Sequence, residues 1–150
     1  TAAQAQELVQ WYNARWAIEV YFRTLKTGCQ IEKLQMDTRR RIERTVMMYM
    51  IVAWRVMYLA MAGRQPHGLS AALFFDEQEW QAAHIIAKKT MPPKKPPSLQ
   101  VTLKQIAALG GYLGRKRDGP PGAKSIWIGL RRIHDMAEGI MAMRKAMTCG

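Results

Sequence analysis

Four side chains near the start of the sequence carry groups that could act on a phosphate or on its divalent counter-ion: Tyr12, Arg15, Glu19 and Lys26, in the run WYNARWAIEVYFRTLK. On an α-helix turning about 100° per residue, Arg15 lies about −60°, Glu19 about −20° and Lys26 about −40° from Tyr12. All four fall in a stripe about 60° wide. A phosphate is served by three of them: Arg as a bidentate fork, Lys as a point charge, Tyr as a hydroxyl donor or stacking ring. The carboxylate is the kind of ligand a divalent cation takes. Trp16, Ile18, Val20, Phe22 and Leu25 fall mostly elsewhere and can face a core. The same residues would also serve a plain solvated face. Arg15–Glu19 and Glu19–Arg23 are ordinary i,i+4 pairs, worth about 0.2–0.5 kcal/mol each.

One carboxylate cannot build a two-metal site, which needs several oxygen ligands. The sequence holds no Ser-His-Asp, HExxH, Walker or GxGxxG pattern. His67, His84 and His134 are scattered and read as surface or cap residues.

The elements that position these groups read as helices. Ala2 to Thr27 lacks Pro and Gly, and Gly28 offers a stop where φ > 0 is free. CQIEKLQM, Cys29 to Met36, is expected to be extended or irregular. Asp37 or Thr38 caps a long helix running to about Ala62, cationic in its first turns and apolar nearly all round later. Arg64 to Ser70, with Pro66 and Gly68, is a loop. Asp76 caps a helix through DEQEWQAAHIIAKK, with acids first and lysines last as the helix dipole favours. MPPKKPPS, Met91 to Ser98, is a stiff connector. A helix from Leu99 to Leu109 ends at Gly110-Gly111, and GRKRDGPPGAK is a basic, turn-rich loop. A last helix spans about Ser125 to Ala146, with an apolar stripe of Ile126, Leu130, Ile133, Ala137 and Ile140.

At 150 residues, 49% of them hydrophobic and 23% charged, the chain can bury a core and is not disordered by composition. Its 23 Lys and Arg against 11 acids give +12, which favours a polyanionic partner: nucleic acid first, an anionic membrane surface second. Two distant cysteines, Cys29 and Cys149, imply neither a disulfide framework nor a metal site and fit a reducing cytosol. No leader pattern is visible. The longest apolar run, Val46 to Trp54, is interrupted by Arg55, so no bilayer span and no membrane partner are expected. A start at Thr rather than Met suggests a processed chain or one cut from something longer. In the cluster Arg39, Arg40, Arg41 and Arg44, cations sit at a helix start, against the dipole. DNA backbone or acid partners would explain that conflict.

Tyr-x2-Arg-x3-Glu-x6-Lys, with the flanks RWAIEVYFRTLKTGCQIEKLQ and RIERTVMMYMIVAWRVMYL, resembles the signature of DDE transposases of the insertion-sequence-four type, the group of the transposon-five transposase. LGGYLGRKRDGPPGAKSIWIGLRRIHDMAEGI is similar to the C-terminal dimerisation region of those enzymes. The likeness covers about Gln10 to Met143 and is weakest from Arg64 to Ser98.

The resemblance implies a mainly α chain: the terminal helix of an RNase H-like core followed by a helical dimerisation region. Residues 1–62 would end the catalytic core, 63–98 would be a connector with one helix and a proline-rich linker, and 99–150 would dimerise. Glu19 would be the catalytic, metal-binding glutamate of the DDE triad, serving Mg²⁺ or Mn²⁺ in the complete enzyme. Tyr12, Arg15 and Lys26 would hold the phosphates and displaced base of transposon-end DNA, and Arg115, Lys116 and Arg117 are further candidate DNA contacts, with solvation the alternative. Ile126, Leu130, Ile133, Ala137 and Ile140 would form the interface of a homodimer, or of a heterodimer with full-length transposase; the alternative is that they pack inside the monomer. The two triad aspartates come from strands upstream of this helix. Only one of three triad acids is present, so the chain alone is expected neither to hold the metal pair well nor to catalyse. The expected setting is the bacterial cytoplasm, at the nucleoid. Two other functions remain open: a non-catalytic partner that dimerises with a complete transposase and inhibits it, and an unrelated basic helical DNA-binding module.

Overall fold

The computed structural model describes residues 1–65 and 68–148. Pro66, His67 and Cys149, named above, lie outside the described residues. Among those described, the chain is helical, with no strand beyond an isolated antiparallel bridge between Ser70 and Ser98. The mainly α class read from the sequence holds. Two compact units divide the chain, Thr1–Met57 and Tyr58–Gly150.

In the first unit, α1 (Ala2–Arg23) buries none of its residues. It runs on into a π-helical turn, Thr24–Gly28. There the Cys29 N–H donates to the Thr24 carbonyl at 2.7 Å, a five-residue spacing that widens the turn. The Thr24 hydroxyl donates back to the Val20 carbonyl at 2.9 Å. The expected glycine stop at Gly28 is displaced by two residues: Gln30, not Gly28, takes the left-handed conformation, at φ 55°. A 3₁₀ turn (Ile31–Lys33) then leads to α2 (Arg39–Ala62). Thr38 opens α2, its carbonyl accepting the Ile42 N–H at 3.0 Å. Tyr21 on α1 donates its hydroxyl to the Met50 carbonyl of α2 at 3.0 Å. The buried residues of this unit are few: Thr24, Leu25, Gly28, Cys29, Ala53 and Val56.

α2 differs from expectation in one respect. An 18-residue window within it reaches a mean hydropathy of 1.5, so by length and composition it could cross a membrane. The uninterrupted run is short, but one interior arginine does not lower the window average enough to matter. A core helix of a soluble protein passes the same test.

The second unit closes around its own core. A 3₁₀ turn (Ala71–Leu73) leads to α3 (Glu77–Lys88), which starts as the sequence indicates: Asp76 and Glu79 form a reciprocal capping box. α4 (Leu99–Leu109) begins at Ser98, whose hydroxyl accepts from Val101 N–H, and α5 is Ala123–Thr148. The proline-rich stretch lies within this unit. Its end is pinned by Ala71 N–H donating to the Pro97 carbonyl at 2.9 Å and Leu99 N–H donating to the Leu69 carbonyl at 2.6 Å. α3, α4 and α5 pack on one another around Trp80, Ala83, Leu103, Ile106, Ile126 and Ile133, all nearly or fully buried.

Two glycines set how closely α4 and α5 approach. A Cβ on Gly129 would collide with the Ile106 carbonyl, and one on Gly110 with the Ser125 carbonyl. Only hydrogen fits at either place. Arg132 of α5 donates to the Leu109 carbonyl, a cation at the negative end of α4.

Candidate nucleic-acid interface

α1 presents its chemistry openly because nothing in the unit covers it. Tyr12 is 68% exposed. The Arg15 guanidinium lies 5.6 Å from the centroid of the Tyr12 ring and 3.6 Å from the Glu19 carboxylate. Tyr12, Arg15 and Glu19 therefore sit together along one exposed ridge. Lys26 is exposed as well, but it rides on the π-turn. A wider turn rotates less per residue, which carries Lys26 off the angle calculated for a straight α-helix. The Arg15–Glu19 pair is solvent-exposed and contributes at most a few tenths of a kcal/mol, about 0.2–0.5. Stability is not what it supplies.

Among the described residues, no group of three or more His, Cys, Asp or Glu could hold a metal ion. Glu19 offers a single carboxylate, with an arginine rather than a second acid beside it. These residues do not fit a metal pair, and no chemical step can be drawn through one here.

The arginine cluster at the start of α2 resolves into pairs. Arg39 meets Glu43 at 2.7 Å and Arg41 meets Asp37 at 3.5 Å. The acid partners lie within the chain, which accounts for two cations against the dipole. Arg40 and Arg44 are exposed.

In the second unit the loop carrying Arg115, Lys116 and Arg117 is built rather than loose. Asp118 accepts the Arg115 N–H at 2.8 Å, and the Tyr112 hydroxyl donates to the Gly119 carbonyl at 2.7 Å across its neck. Gly111 and Gly114, at φ 91° and 61°, let the chain turn. The three cations project exposed from this frame.

On α5, Ile126 and Ile133 are 0% exposed and Ala137 is 4% exposed, all within their own unit. Leu130 and Ile140 are half-buried. The first three therefore hold α5 onto α3 and α4. Met136, Met143 and Met147 are exposed, and with Ile140 they follow the 4-3-4 spacing of one helix face. Composition hid this second stripe, because methionine reads equally as core. His84 lies 3.3 Å from the Thr90 hydroxyl and His134 lies 3.6 Å from Glu138, both in surface contacts. Cys29 is buried, and desolvation pushes its thiol up to about 11, so it is inert at neutral pH.

A family model described as the transposase Tn5 dimerisation domain matches residues 51–150, and one described as the transposase DDE domain matches residues 1–55. The chain belongs to the Tn5-type transposase family. Membership brings dimer formation, DNA as partner, and divalent-metal use in the complete enzyme.

Proposed function

We propose that this chain is the C-terminal part of a cut-and-paste DNA transposase that grips transposon-end DNA and dimerises but does not cleave by itself. The observation that carries this is the exposed Tyr12–Arg15–Glu19 ridge, with Arg15 5.6 Å from the ring centroid and 3.6 Å from the acid. Arg15 and Lys26 hold strand phosphates, Tyr12 supplies a ring or hydroxyl beside them, and Glu19 is the acid of the DDE triad. Arg115, Lys116 and Arg117 add backbone contacts. Residues 1–62 end the RNase H-like core. The openness of Trp11, Trp16, Ile18 and Phe22, each 47–72% exposed, supports that assignment, because such a face belongs against further core. Mg²⁺ or Mn²⁺ would serve once the other carboxylates are supplied.

Dimerisation runs along Met136, Ile140, Met143 and Met147 rather than through the buried side of α5. The partner is a second copy or a complete transposase, and pairing with the latter would inhibit it. The working place is the nucleoid rather than a membrane.

A band-shift assay with transposon-end DNA and a cleavage assay with Mg²⁺ test the reading together. The expected result is binding without cleavage. Cleavage by this chain alone would overturn the missing-acid argument, and no shift at low salt would overturn DNA binding. Met143→Lys is expected to reduce self-association in light scattering while leaving the melting temperature unchanged; an unchanged dimer would move the interface elsewhere.

A further inference from the structure

The second unit carries a cleft of about 410 Å³ that neither the ridge nor the dimer face uses. Leu103 and Pro121 give it an apolar floor, the Tyr112 ring lines it, and Arg64 and Lys104 bring two exposed cations to it. The ring is held in place: its hydroxyl is committed to the Gly119 carbonyl at 2.7 Å. Gly119 also lines the cleft, and a Cβ there would meet nothing within 4 Å. The one carboxylate in the lining, Asp118, accepts from Arg115 N–H at the loop neck. The wall formed by Asp118 to Pro121 is the return leg of the loop that bears Arg115, Lys116 and Arg117.

We propose that this cleft binds one unstacked nucleotide of a DNA single strand, its base against Tyr112 and the apolar floor and its phosphate between Arg64 and Lys104. A fixed aromatic ring over an apolar base suits any nucleobase, since each has a π-face. Two exposed cations lining the same cleft suit a phosphate. A strand leaving the cleft meets the three cations of the loop, which favours a polynucleotide over a free nucleotide. The inference rests on the DNA-binding reading above and gives it a second, strand-selective site.

The test uses the full chain with a labelled oligothymidylate, a duplex of matched length, thymidine monophosphate and polyglutamate. Gly119→Phe fills the cleft without changing charge. It is expected to weaken oligothymidylate binding about tenfold while leaving duplex binding unchanged. Lys104→Met is expected to lower the salt slope for the single strand by about 0.7. Tyr112→Phe, which keeps the ring but frees it from the Gly119 carbonyl, is expected to weaken strand binding less than Tyr112→Leu, which removes the ring. In amide spectra, Gly63 and Gly119 shift with oligothymidylate. Equal loss on strand and duplex, an unaltered Gly119→Phe with a normal melting temperature, or cleft shifts with the mononucleotide but no strand binding would each overturn the proposal. So would equal competition by polyglutamate, which would assign the cleft to acidic protein. Failure of every DNA to bind would sink the DNA-binding reading too; loss of strand selectivity alone would leave it standing.

Discussion

The two units spend the same kinds of residue in opposite ways. The second buries Trp80 to 3% exposure and Ile106, Ile126 and Ile133 completely. The first leaves Trp11, Trp16 and Trp54 at 72, 56 and 55%. Apolar content alone therefore does not say where a core is. The second unit satisfies its helices against one another, whereas the first displays a helix whose faces want other surfaces and whose charged ridge is free to meet a ligand.

The sharpest break between them is a core substitution. Ile133→Asp places an unpaired charge at a fully buried site and is expected to cost the second unit at least about 3–5 kcal/mol. Trp16→Ala, at 56% exposure, should change melting by no more than about 0.5 kcal/mol. Chemical denaturation of both variants checks the pair. A large loss for Trp16→Ala would mean that α1 is packed after all.

A smaller contrast lies along α5 itself. Gly129→Ala drives a Cβ into the Ile106 carbonyl and should cost about 1–3 kcal/mol or more, while Gly139→Ala meets nothing and should stabilise by about 0.5–1 kcal/mol. Melting temperatures moving in opposite directions would sharpen the picture of a close α4–α5 contact; equal shifts would break it.

A pH-dependent effect concerns Cys29 in the first unit. Its folded thiol is raised to about 11 from 9.0 by burial, so the unfolded thiol ionises first. The unfolded chain then binds fewer protons, and stability should fall as pH rises from about 9 to about 11. Denaturation midpoints of wild type and Cys29→Ala across that window check it; identical pH profiles would mean that the thiol is not buried.

Much of this was legible in the residues. Asp76 and the acids after it announced the start of α3, Gly110 the end of α4, and the spacing of Tyr12, Arg15 and Glu19 announced that the three share one exposed ridge of α1. Three features were not. The π-turn at Thr24–Gly28 depends on a threonine hydroxyl and a main-chain bond that no apolar period encodes. Which stripe of α5 is buried was ambiguous, because Ile133 and Met143 both satisfy a helical repeat and only the packing of α3 and α4 chooses between them. The cleft beside Tyr112 joins residues 64, 104, 112 and 119, whose proximity exists only after folding.

In the function proposed above, the α1 ridge holds DNA phosphates. The most direct measurement is the dependence of transposon-end DNA affinity on salt for wild type and for the Arg15→Ala, Lys26→Ala double variant. Each lost phosphate contact should lower the slope of log K against log salt by about 0.9, so a decrease of about 1.8 is expected. Parallel lines of equal affinity would contradict the account.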